Sequence, residues 1–134
     1  MDELDFLVVV SAGVLRPDAG SVTTMPHRWT DGGVAIEAPF TGAHLLHLAA
    51  AGCVLNDLYR EAQTLGIELH GVRVRAHGSF DADSWSSTGI TYDVRVVSDA
   101  APGELEQLLE LVDEIAEIPR ALRSGTTVER RRAR

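Results

Sequence analysis

The segment GAHLLHLAAAGCVLNDLYREAQTLG, Gly42–Gly66, decides how the rest of this chain is read. Nothing from Gly42 to Leu65 breaks a helix apart from Gly52 inside it, Thr41 offers an N-cap hydroxyl, and Gly66 supplies a stop. The predicted helix is about 36 Å long. Its first half, Leu45–Leu55, is apolar all round except at His47, while the second half carries Asn56, Asp57, Arg60, Glu61 and Gln63. This distribution predicts a buried first half and a half-exposed second half. One small domain has too few other elements to cover a helix that is apolar on every side, so a partner chain is expected against it. Gly52, beside Ala49, Ala50 and Ala51, predicts that another backbone passes close by.

Upstream, Phe6–Val10 is a β-prone run ending at Ser11, Ala12 and Gly13, and Ser21–Met25 and Gly33–Ala38 read as further short strands forming a meander with it. Downstream, Val72, Val74 and Ala76 alternate with Arg73, Arg75 and His77, and Ile90, Tyr92, Val94 and Val96 alternate with Thr91, Asp93 and Arg95. Two runs with one polar face each predict a long antiparallel hairpin lying on a helix. The loop between them, Ser79–Ser87, carries Asp81, Asp83 and Trp85 and is long enough for a flap. Pro102 opens an amphipathic helix whose apolar stripe is Leu105, Leu108, Leu109, Val112, Ile115 and Ala116. Pro119 ends or kinks it, and Gly125–Glu129 is expected to add a last short strand.

Composition narrows the function classes. The formal charge is −8 and all 12 basic residues are arginine. An acidic chain repels phosphate backbones, so nucleic acid is not an expected partner. Residues 1–129 are expected to form one domain, with the arginine-rich 130–134 as a disordered, solvated tail. A single cysteine forms no intrachain disulfide, and Asp2, Glu3 and Asp5 stand where the positive region of a signal peptide would be, so a cytoplasmic location is expected. The longest apolar run is too short to span a bilayer, and no membrane partner is expected. The chain has no glycine-rich phosphate loop, no G-x-S-x-G elbow, no paired-cysteine metal site and no acidic pair at a fixed spacing, so neither a metal nor a cofactor is expected.

Two readings of Cys53 stand side by side. A lone cysteine in an Ala/Leu/Val run behaves as a small buried hydrophobe. A reactive thiol needs a cation or a helix N-terminus nearby, because apolar surroundings raise its pKa. Cys53 is mid-helix, beyond the reach of that helix's own dipole, so reactivity requires an arginine from another segment or from a second subunit. His44 and His47, three residues apart, share a helix face but lie on the wrong side to meet Cys53 within one helix. They could meet it across an antiparallel pair of such helices. Trp29 and Trp85 fall in predicted loops, where a large aromatic either tucks the loop down or lines a pocket. Asn56 and Asp57 lie one turn beyond Cys53, facing either the site or solvent.

The helix with its A-G-C, running through CVLNDLYREAQTLGIELHGVRVRAHGSFD into two long strands and then GELEQLLELVDEIAEIPRALRSGTTVE, resembles the OsmC/Ohr family of osmotically induced and organic hydroperoxide resistance proteins. That resemblance implies an α+β intertwined homodimer, with antiparallel sheets wrapped around two long central helices and active sites at the subunit interface. In the family's peroxidases a thiolate on the first helix attacks a hydroperoxide, a second cysteine resolves the sulfenic acid, and an arginine and a glutamate shape the site.

Cys53 matches the attacking cysteine. The resolving cysteine has no counterpart: alignment on Ala121, Leu122 and Arg123 puts Ala116 in its place, and alignment on Pro119 puts Ile118 there. The family's P-E pair, with its glutamate ten positions before the cysteine, reads Gly42-Ala43 here. Arg16 is the best match to the family's arginine, with Arg28 second. His44 directly follows the lost glutamate's position and is a candidate base or thiol partner.

The catalytic candidates are therefore Cys53, Arg16 and His44, and the pocket candidates Arg28, Trp29, His47, Asn56, Asp57 and Trp85. The resemblance implies a one-cysteine, thiol-dependent peroxidase acting on small organic hydroperoxides with an external thiol. Two other readings remain open, a repurposed enzyme of the same fold and a non-catalytic binder of a small apolar ligand in the interface pocket.

Overall fold

In the computed structural model, residues 4–18 and 22–133 are described. The chain runs β1 (Val8–Gly13), β2 (Thr23–His27), β3 (Thr30–Glu37), α1 (Gly42–Leu65), β4 (Gly71–Phe80), β5 (Ser87–Val97), α2 (Pro102–Ile115) and α3 (Glu117–Ser124). All five strands form one antiparallel sheet in the order β2-β3-β1-β4-β5. The first three strands are therefore not a meander. β2 and β3 form a hairpin, and β1 is inserted between β3 and β4, where its continuous Val8–Val10 run and largely buried residues suit a central strand. Ser21, the expected start of the second strand, lies outside the described residues.

Register explains which side of the sheet is covered. Val8 pairs with Ala76, Val10 with Val74 and Ala12 with Val72, and on the far edge Tyr92, Val94 and Val96 oppose Ala76, Val74 and Val72. Directly paired residues project to one face, so this set makes a continuous apolar surface. α1 packs on it through β1 and β4, while α2 and α3 pack against α1. The opposite face carries the Arg75–Asp93 pair at 2.9 Å. Gly13, at φ 62°, turns the chain so tightly that an added Cβ would sit 2.1 Å from the carbonyl oxygen of His70.

α1 has the predicted bounds. Thr41 Oγ1 accepts from the backbone N–H of His44 at 3.0 Å, and Gly66 closes the helix in the left-handed conformation. Its burial follows the expectation from Ala50 onward, with a half-exposed second half, but departs from it in the first turns. The buried positions cluster from Ala50 to Ala62, whereas before them only His47 is buried and Leu45 is 38% exposed. The sheet covers one face of the helix and α2 and α3 cover part of the rest, leaving a strip near Leu45 and Gly52 uncovered among the described residues. Gly52 lies on that open side, and a Cβ there would meet nothing within 4 Å. Within one chain, then, no backbone approaches it.

The second helix breaks at Ala116, three residues before Pro119, because proline at 119 has no N–H for the carbonyl of Ile115 and its ring clashes with that carbonyl. Pro119 instead occupies the first turn of α3, where no intrahelical donor is required. Gly125–Glu129 forms no strand; it is irregular and exposed. The β4–β5 connection is tighter than the expected flap, with Asp81 accepting from the backbone N–H groups of Asp83 and Ser84. No helix among the described residues is long and apolar enough to cross a membrane.

Candidate active site around Cys53

The break between α2 and α3 does more than change direction. It leaves the first amides of α3 without intrahelical partners, and those of Ile118 and Glu117 lie near enough to the Cys53 sulfur to favour its thiolate. A mid-helix cysteine thus receives the N-terminus of a different helix. Ile118, one of the two positions that alignment substitutes for a resolving cysteine, contributes its amide and not its side chain. Burial pushes the Cys53 thiol up, and Asp57 and Glu117 push it the same way, against the two amides that favour the thiolate.

Asp57 lies one turn along α1 from Cys53 and is fully buried. The thiol donates to its Oδ2 across 4.0 Å, Arg60 Nη2 lies 3.2 Å from the same oxygen, and Asn56 Nδ2 donates to Oδ1 at 3.1 Å. The spacing 53, 57, 60 places thiol, carboxylate and guanidinium on successive turns of one helix face. Burial raises the Asp57 carboxyl, with Glu117 adding to the rise and Asn56 and Arg60 opposing it. Cys53, Asp57 and Glu117 bring one sulfur and two oxygens within 4.8 Å of one another. These donor types suit a divalent cation, but the Arg60 guanidinium already supplies a positive charge to the buried carboxylate. An acidic pair does face the site; 60 residues of sequence separate its members, so no spacing rule finds it.

The other candidates are dispersed. Arg16 Nη1 donates to the carbonyl of Gly32 at 2.7 Å, and Arg28 stacks over the Trp29 ring at 5.3 Å. His44 Nδ1 pairs with Thr41 Oγ1 at 2.6 Å in the first turn of α1. His47 is buried, its Nδ1 donating to the carbonyl of Ala43 at 2.7 Å, its ring against Phe6 and Phe80, and its Nε2 without a partner. Asn56 joins the centre, with its Oδ1 accepting from His27 Nε2 at 3.1 Å. Trp29 packs on His27 behind it, and Trp85 is 74% exposed at the hairpin tip. Within one chain Asn56 and Asp57 are therefore gathered at Cys53, and Arg16, Arg28, His44, His47 and Trp85 are not.

A cleft of about 310 Å³ opens between α1, β5 and α3, lined by Leu46, Ala50, Ile90, Tyr92, Pro119 and Leu122 with Arg123 at its rim. Ala50 is one helical turn before Cys53, and Pro119 adjoins the Ile118 amide that faces the sulfur, so the apolar cleft starts beside the thiol. Its polar rim is fixed, with Tyr92 donating to Asp113 and Arg123 bound to the same carboxylate at 3.2 Å. Most of these lining residues were readable only as core or turn positions.

The family model described as OsmC-like protein matches residues 37–131. Two solved structures share the fold. An OsmC like protein from Mycoplasma pneumoniae aligns at TM-score 0.59 and 16% identity over 91% of this chain and 88% of that one. An OsmC-like hydroperoxide resistance protein from Jannaschia sp. CCS1 aligns at TM-score 0.53 and 12% identity over 95% and 92%. No curated protein matches the chain.

Proposed function

The chain belongs to the OsmC-like protein family, and from that premise we propose that it is a one-cysteine, thiol-dependent peroxidase for small apolar hydroperoxides, working at Cys53. The observation that carries this reading is the apolar cleft that begins one helical turn from a thiol faced by two α3 amides. An organic hydroperoxide would lay its hydrocarbon part along Leu46, Ile90 and Leu122 and bring its O–O bond toward the sulfur. Attack produces a sulfenic acid and an alcohol, and an external thiol restores the cysteine, since the chain has no second one.

A second reading, a binder of apolar ligands without peroxidase chemistry, draws support from the pKa of the thiol, which burial and two carboxylates raise. Peroxide titration with trapping of sulfenic acid and peptide mass mapping separates the two. Modification of Cys53 near one equivalent of organic hydroperoxide supports the peroxidase. An intact thiol at large excess sinks it, and mapping is required because Met25 is exposed and also takes up oxygen.

The uncovered side of α1 supports a homodimer in which a second copy packs near Leu45 and Gly52. Gly52→Leu distinguishes the states. In a lone chain the new side chain meets open space, and replacing a mid-helix glycine stabilises by about 1 kcal/mol. In a dimer packed there it overfills the contact and costs about 1–3 kcal/mol. Sedimentation should show wild type above the 14.5 kDa chain mass and the variant shifted toward it. A wild-type protein sedimenting as a single chain at micromolar concentration contradicts the dimer.

A further inference from the structure

We infer that Asp57 is the proton shuttle of Cys53: its carboxylate takes the thiol proton as sulfur attacks and returns it to the leaving oxygen of the hydroperoxide. The inference rests on the peroxidase reading above and assigns it a base.

The geometry has three parts. The thiol donates to Asp57 Oδ2 across 4.0 Å inside the core, where water does not compete for the proton. The carboxylate is held from both sides, by Arg60 at 3.2 Å and by Asn56 at 3.1 Å. Asn56 is in turn anchored from β2 through His27 Nε2, whose Nδ1 pairs with Thr30 Oγ1 at 2.8 Å. The carboxylate is therefore positioned by residues that do not themselves reach the sulfur. Among the described charged groups, those facing this pair are Arg60 on α1 and Glu117 on α3. Burial raises the Asp57 carboxyl and the Cys53 thiol alike, so each holds its proton more tightly than it would in water.

The step balances without another reagent. The S–H bond breaks as its proton passes to Asp57, and the sulfur lone pair forms a bond to the terminal peroxide oxygen. The O–O bond breaks, and its electron pair leaves on the alkoxide oxygen, which takes the proton from Asp57. Cys53 becomes a sulfenic acid, oxidised by two electrons, and the hydroperoxide is reduced to its alcohol. The two α3 amides stabilise the sulfur anion between proton loss and attack.

Plain electrostatics predicts the opposite outcome from a base, which makes the test sharp. Asp57→Asn removes a negative charge that raises the thiol pKa, so a carboxylate acting only as a charge would slow wild type and its loss would speed the reaction. A carboxylate acting as base should instead leave Asp57→Asn about 100-fold slower at pH 7 in oxidation by cumene hydroperoxide. Wild type should show a flat rate from the carboxylate's pKa up to the thiol's. Asp57→Asn should rise about tenfold per pH unit there, because only free thiolate then reacts. Glu117→Gln, which keeps the Asp57 carboxylate and both α3 amides, should retain the flat pH profile of wild type; a free-thiolate slope there would make Glu117 the base and overturn the assignment.

Alkylation by iodoacetamide, followed by mass, isolates proton loss from peroxide chemistry. If wild type fails to react with hydroperoxide, the peroxidase reading falls, and alkylation still judges Asp57. Faster alkylation of wild type than of Asp57→Asn at pH 7 upholds the base; equal or slower alkylation overturns it. Asp57→Glu serves if Asp57→Asn does not fold, with partial retention of the flat pH profile expected and a free-thiolate slope overturning the assignment.

Discussion

Cys53→Ala should bring dithiol-driven consumption of an organic hydroperoxide down to the uncatalysed background, starting from a wild-type turnover well below the rate at which the thiol is first oxidised. Two features set the wild-type ceiling. The chain's single cysteine has no intramolecular sulfur to resolve its sulfenic acid, so recovery is bimolecular at every cycle. Cys53 is also only 9% exposed, beneath the α2–α3 break, so a dithiol has little of it to reach. Oxidation in a single turnover should therefore outrun steady-state turnover. The measurement pairs hydroperoxide consumption with thermal stabilisation by apolar ligands in both proteins. Fast steady-state turnover in wild type would show that an internal resolving cysteine is dispensable here. Weak turnover unchanged in Cys53→Ala, with ligand stabilisation retained, would assign the cysteine to the core and the cleft to another use.

The largest loss of stability is expected at Leu58. Its side chain is fully buried in the cluster that joins α1 to Val10, Val74 and Val112. Leu58→Ala removes the transfer energy of that side chain and leaves a cavity under the centre of the sheet, costing about 2–5 kcal/mol. Domains of this size are stable by about 5–15 kcal/mol, so the loss is a large fraction of the total. Leu65→Ala is the control. It changes the same side chain in the last turn of α1, where the leucine is 55% exposed, and should shift stability by less than about 0.5 kcal/mol. Urea midpoints of the two variants against wild type test the contrast; equal shifts would mean that α1 does not seat on the sheet through Leu58.

The bounds of α1, the β4–β5 hairpin and the start of α2 at Pro102 follow from the residues themselves. Thr41 and Gly66 are local signals that act within one turn, and the alternation of Val72, Val74 and Ala76 with arginines and a histidine specifies two faces whatever the strand pairs with. The candidacy of Cys53 was likewise legible, as was its lack of a sulfur partner. Which face of α1 the sheet covers was not, because an all-round apolar helix has no preferred side until tertiary contacts choose one. The insertion of β1 between β3 and β4 is equally non-local, since strand order depends on edges that no short window contains. The surroundings of the thiol were settled the same way. Asp57 could have faced solvent from its helix position, and Glu117 and the Ile118 amide reach Cys53 only because Pro119 breaks the chain at Ala116 and folds α3 back over α1. Local propensity determined the elements; the burial of one helix face against a sheet, and one proline-enforced break, decided what stands next to the sulfur.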